Sequence, residues 1–144
     1  MGVTAFQIST RNSGRLRTVQ VRVYDRLSDL RNDGKRWARR VGDISEGIDA
    51  AYGLCQTFER VRTSDAGRVT HRYPDAGYIR LCRKYLRSGI ISHEATHMAV
   101  AIYRQDIGKL MPETGTQKNE DLCYLVGDIT AKIVDKLYGY KLLP

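Results

Sequence analysis

Cysteine, histidine and the largest aromatics are scarce in this 144-residue chain, which has three cysteines, three histidines, two phenylalanines and one tryptophan. Cys55, Cys82 and Cys123 are odd in number and form no C-x-x-C pair. That excludes a disulfide framework or an all-cysteine zinc knuckle and fits three buried thiols in a reducing compartment. No apolar run approaches the ~20 residues needed to span a bilayer. Met1 to Thr10 lacks a basic stretch followed by an apolar one, so no signal peptide is read and a cytoplasmic location is expected, without a membrane partner. No repeat or low-complexity tract is visible. The length fits one domain, residues 1–144, with a basic β-rich part (1–89) and a helical part (90–144).

Acidic residues are also in short supply, and unevenly so. Residues 1–89 carry 18 Lys/Arg against 9 Asp/Glu, a balance of +9, whereas residues 90–144 carry 6 against 7, or −1. The first part therefore suits an anionic partner, nucleic acid or an acidic protein, unless its charges are simply solvated. Within it, Lys35-Arg36-Trp37-Ala38-Arg39-Arg40 sets an aromatic ring among cations. Such a ring can stack on bases, or it can anchor an amphipathic helix in the core, and the helical spacing favours the anchor.

Periodicity gives an α+β expectation. Val3 to Ser9 and Arg15 to Tyr24 read as strands joined by a turn at Asn12-Ser13-Gly14, and residues 25–40 as an amphipathic helix weakened by Gly34. Ala51 to Thr63 is a strand of ambiguous period, and Ser64-Asp65-Ala66-Gly67 and Tyr73-Pro74-Asp75 are turn signals. Gly77 to Leu86 is a further strand, placed where it could lie along a cleft and pair with an extended substrate. Ile90 to Gln105 is apolar on nearly every side and reads as a buried helix. A last helix, capped by Thr116 or Asn119 and running to about Tyr138, has the stripe Leu122, Leu125, Val126, Ile129, Ile133, Leu137. The expected architecture is a small antiparallel or mixed sheet with one amphipathic helix, packed on the two C-terminal helices.

Two of the three histidines fall in His93-Glu94-Ala95-Thr96-His97. Residues four apart lie about 40° apart around a helix, so both imidazoles can bind one zinc ion. Glu94, one step round, can take a proton from a water at the metal. A catalytic zinc needs a third protein ligand. Tyr103 and Val100 stand where the metzincin pattern requires histidine and glycine, which excludes that pattern. His71 precedes the motif in a basic turn. The downstream carboxylates are Asp106, Glu113, Glu120, Asp121 and Asp128. Glu120 is preferred because Glu120, Tyr124, Gly127 and Ala131 share a face within about 60°, lined by small residues that allow close approach to the metal helix. Tyr124 is then a candidate to stabilise an oxyanion, with Tyr103 and Arg104 weaker ones, and Asp128 a candidate to orient a ligand histidine.

Ile90-Ile91-Ser92-His93-Glu94-Ala95-Thr96-His97 followed by Asn119-Glu120-Asp121-Leu122-Cys123-Tyr124-Leu125-Val126-Gly127-Asp128 resembles the gluzincin type of zinc metallopeptidase, and within it a group of small bacteriophage- and prophage-encoded proteins. The opening Val21-Arg22-Val23-Tyr24-Asp25-Arg26-Leu27-Ser28-Asp29-Leu30-Arg31 is similar to their strand-then-helix leader. The resemblance implies a zincin-like fold, one zinc per chain held by His93, His97 and Glu120, Glu94 as general base and acid, and a peptide or protein substrate in the host cytoplasm. The alternative expectation is a binding module for nucleic acid or a host protein, with zinc purely structural. A third is an inactive relative that keeps its ligands behind a closed cleft.

Overall fold

The computed structural model describes residues 2–42, 47–58, 62–63, 69–71 and 74–144, with side chains described outside 62–63 and 69–71. Strand β1 (Val3–Thr10) and strand β2 (Arg17–Tyr24) form the expected hairpin. Helix α1 (Leu27–Val41) follows, then a turn of 3-10 helix and strand β3 (Gly53–Thr57). Strands β4 (Arg62–Thr63) and β5 (Val69–His71) pair with each other as a separate ribbon. Strand β6 (Asp75–Cys82), helix α2 (Ser88–Asp106) and helix α3 (Gln117–Gly139) complete the chain. The ambiguous stretch 51–63 thus resolves into β3 and β4.

The main sheet has the order β1-β2-β6-β3, antiparallel at both outer pairs and parallel between β2 and β6. It is the small mixed sheet with helices that the sequence implies. Alternation along the strands gives it two unlike faces. Val19, Val21, Val23, Ile79 and Leu81 point to one face, where they form a continuous core with Ile91, Ala95, Met98 and Ile102 of α2 and Leu125, Ile129, Ile133 and Leu137 of α3. The β-rich and helical parts of the chain therefore share one core. On the opposite face Tyr24 and Cys82 meet Leu30, and Trp37 packs with Ala38 and with Ile48 of the 3-10 turn, so α1 is the long helix that packs on that side. Gly34 lies inside α1 because a Cβ there would run into Leu54 Cδ2 at 2.5 Å; its absence lets the helix settle on β3. Its carbonyl accepts a hydrogen bond from Gln56 Nε2 at 2.9 Å.

The far end of α2 is pinned to the sheet by polar contacts. Arg17 and Asp106 form an ion pair at 3.0 Å with both side chains wholly buried. Ser13 Oγ donates to the other Asp106 oxygen at 2.6 Å, Arg17 donates to Gln105 Oε1 at 2.7 Å, and Gln105 Nε2 donates to the Phe58 carbonyl at 2.6 Å. A buried pair that is hydrogen-bonded on all sides fixes position more than it adds stability. Here it fixes where the metal-motif helix lies across β2 and β3.

Three expectations change. Cys82 is buried as expected, but Cys55 is half-buried and Cys123 is exposed. Strand β6 is interior, paired on both sides by β2 and β3, so it has no free edge for a substrate; β3 is the edge strand on that side. Helix α2 is not buried all round: Ile91, Glu94, Ala95, Met98, Ala99, Ile102 and Tyr103 face inward, while His93, Thr96 and His97 face solvent.

Candidate metal-binding cleft

The middle of α2 and edge strand β3 form the two walls of an open cleft of about 410 Å³. His93, Glu94, His97, Val100, Ala101 and Arg104 come from the helix, and Gly53, Leu54, Cys55 and Thr57 from the strand. The motif's spacing works as the helix geometry requires. His93 Nε2 and His97 Nε2 face each other at 3.1 Å, with the rings nearly perpendicular at 79°. Two nitrogens each about 2.0–2.1 Å from one tetrahedral zinc would be about 3.3 Å apart, so this pair is set at the separation of two ligands on one ion. The same separation also lets one neutral ring donate a hydrogen bond to the other. Both rings are exposed, so neither depends on a metal to offset burial.

Glu94 differs from its neighbours. Only 6% of its surface is exposed, and burial raises its carboxyl pKa above the ordinary range, partly opposed by the charge of His93. Its place against β3 depends on Gly53. A Cβ at that position would stand 3.0 Å from Ile90 Cγ2 and 3.2 Å from Glu94 Cγ and Oε1. The glycine is the recess that receives the glutamate. Cys55, on the same strand, is pushed well above the usual thiol range, first by burial and then by the neighbouring Glu94, so it stays a neutral thiol. Sequence reasoning missed both strand residues, because the period of the 51–63 segment gave no signal of which side would face the helix.

The remaining expected site residues are elsewhere. Glu120, Tyr124, Gly127 and Ala131 do share one face of α3, but that face is solvent-exposed and no residue of α3 lines the cleft. The apolar stripe Leu125, Ile129, Ile133 and Leu137 is what packs inward. Small residues permit close approach, but burial of four large aliphatic side chains sets the helix rotation, at about 1.5–3 kcal/mol each. Tyr124 is 62% exposed. Asp128 is paired with Lys132 at 2.9 Å, and Lys132 donates to the Ser9 carbonyl of β1, so Asp128 belongs to the α3–β1 contact. Asp106 is taken by Arg17. Of the residues weighed as oxyanion stabilisers, Arg104 lines the cleft, whereas Tyr103 is buried and does not.

The donor set therefore fits a metal at two positions, both histidines. Among the described residues no group of three or more His, Cys, Asp or Glu side chains is placed to hold one ion. The side chain of His71, the third histidine, lies outside the described residues, as do the turns at 64–67 and Tyr73. No helix among the described residues is long and apolar enough to cross a membrane. The chain matches no protein-family model, no curated protein and no solved structure.

Proposed function

We propose that the cleft is the active site of a zinc-dependent hydrolase acting on peptide bonds, with the two motif histidines as its metal ligands. The facing of His93 Nε2 and His97 Nε2 at 3.1 Å, beside a buried glutamate, carries this reading. The two histidines would hold the metal. Zinc bound there would act as a Lewis acid toward a substrate carbonyl and make a water acidic enough to be deprotonated near neutral pH.

The chain's own residues supply the rest. Glu94 accepts the proton of the attacking water and delivers it to the leaving amine. Its raised pKa suits both halves of that task, since a stronger carboxylate base takes the proton more readily and is still able to return it. Arg104 is the cleft's cation and the group available to a developing oxyanion or a substrate carboxylate. Strand β3, at the sheet edge, offers backbone groups along which an extended peptide can add as a further strand. Glu120, expected from the sequence as the third ligand, is exposed on α3 and does not line the cleft.

Metal analysis of the purified protein tests the reading. About one zinc per chain is expected, lost in His93→Ala and in His97→Ala and retained in Glu94→Gln. Protein that stays zinc-free when purified in buffer supplemented with zinc would overturn it. Glu120→Ala is expected to retain more zinc than either histidine variant; a loss as complete as theirs would assign Glu120 as the third ligand.

A further inference from the structure

The opposite face of the sheet carries a second cavity, of about 150 Å³, lined by Arg22, Asp33, Arg36, Trp37, Arg40, Tyr78 and Arg80. Its floor is sheet and its wall is α1. Arg22 and Arg80 are direct register partners on parallel β2 and β6, and both guanidinium groups lie over the Tyr78 ring, at 5.2 and 4.6 Å from its centroid. Like charges set directly across a strand pair are destabilising. Arg36 and Arg40, one helical turn apart, add two more cations from α1.

Arg80 is the central observation. It is 5% exposed, yet its hydrogen bonds go to neutral groups, Gln56 Oε1 at 2.8 Å and the Tyr24 hydroxyl at 2.7 Å. A buried guanidinium without a carboxylate partner is unusual, since desolvation of the charge is then poorly offset. Among the described residues the one acid in the cavity, Asp33, is bonded to Arg36 at 3.1 Å and also interacts with Tyr24. Four arginines thus converge on one committed carboxylate, and the cavity has room for a phosphate group.

We infer that this cavity binds the phosphate backbone of a nucleic-acid duplex. Arginine forks match phosphate oxygens in pairs. The sequence isoelectric point near 9.6 and the +9 balance of residues 1–89 supply the long-range field that such a partner needs. A single strand is the poorer fit, because single-strand binders rely on exposed aromatic rings for stacking. Trp37 is buried here and stacked on Phe58, and Tyr78 is capped by two arginines and the edge of Phe58. The recognition left is of backbone charge and is independent of sequence.

Fluorescence anisotropy with a labelled DNA duplex of about 20 base pairs, titrated between 50 and 200 mM KCl, tests this. The duplex should bind more tightly than either of its single strands. Arg36→Gln/Arg40→Gln, at two exposed helix positions that glutamine serves well, should weaken binding about tenfold or more. It should also make the slope of log affinity against log salt shallower by about 1.8, or about 0.9 per lost phosphate contact. Lys109→Gln/Lys118→Gln, the same charge change on the other side of the molecule, should weaken it much less. Equal weakening by the two pairs would mean that only net charge matters, and would overturn the assignment. So would an unchanged affinity in the arginine variant, a preference for single strands, or tighter binding of a phosphoserine peptide.

Discussion

The two faces of the sheet are built for opposite purposes from the same strands. On the α2/α3 face, the alternate residues of β2 and β6 are aliphatic, and a buried acid, Glu94, sits at the rim of that core beside two exposed histidines. On the α1 face, the intervening residues are Arg22, Tyr24, Tyr78 and Arg80, and charge lies directly on the sheet beneath α1. A core that fills two helices' worth of apolar surface leaves little freedom for polar chemistry except at its margin, where β3 ends the sheet. The lip between α1 and the sheet leaves room for a cationic cavity. If each face serves its own ligand, changes on one should leave the other's function intact.

The largest expected separation comes from Glu94→Gln. Removing the general base should lower peptide hydrolysis about 10²- to 10⁴-fold, measured as kcat/KM on a casein or peptide-library substrate, with duplex affinity within twofold of the parent. The reciprocal variant, Arg36→Gln/Arg40→Gln, should keep hydrolysis and zinc content while losing DNA affinity. Loss of both functions in either variant would mean that the faces are coupled.

Next in size is Trp37→Ala. The ring is 8% exposed and stacked on Phe58 at 5.6 Å between centroids. Its truncation should cost about 3–5 kcal/mol of stability by chemical denaturation. A cost below about 1 kcal/mol with a large loss of DNA affinity would instead make Trp37 a contact residue, and would undo the argument that the face recognises phosphate alone.

Gly53→Ala probes the other face more gently. The added methyl meets Ile90 and Glu94 at 3.0–3.2 Å, so the carboxylate or β3 must give way by a few tenths of an ångström. Hydrolysis should fall about tenfold, since small misplacements of catalytic groups are costly. Zinc content should hold, because the nearest neighbours of the added methyl are Ile90 and Glu94 and not either histidine.

How much of this could be read from sequence depended on what each signal specifies. The spacing of His93, Glu94 and His97 fixes their relation within one helix, and the structure keeps it. The stripe from Leu125 to Leu137 fixes which side of α3 packs. The position of Glu120 needed more than angles round a helix, since it depends on which face turns inward; the aliphatic stripe decides that, and it leaves Glu120 outside. Gly53 and Cys55 were illegible because a five-residue strand carries too few alternations to reveal its faces. The pairing of Arg22 with Arg80 was hidden for a different reason. It depends on β6 returning parallel to β2 after some fifty intervening residues, and no local pattern encodes that.

The smallest effect concerns the polar network under α1. The Tyr24 hydroxyl has its pKa pushed up to about 12, chiefly by burial, with Arg80 opposing the shift. In the unfolded chain tyrosine ionises near the ordinary value of about 10. Between these values the unfolded state has released a proton that the folded state retains, so alkali favours unfolding. The contribution is fully present below about pH 10 and is lost as pH rises toward 12, at up to about 1.4 kcal/mol per pH unit, or about 1 kcal/mol by pH 11. Cys55, also held neutral, adds a loss of the same sign from lower pH. Tyr24→Phe isolates the tyrosine's share. It should lower stability at neutral pH, because Arg80 loses a hydrogen-bond partner, yet its stability should fall less steeply than the parent's between pH 10 and 11. Parallel slopes in urea denaturation across that interval would show that the Tyr24 proton is not held by burial, and that the α1 face is more open to water than its packing implies.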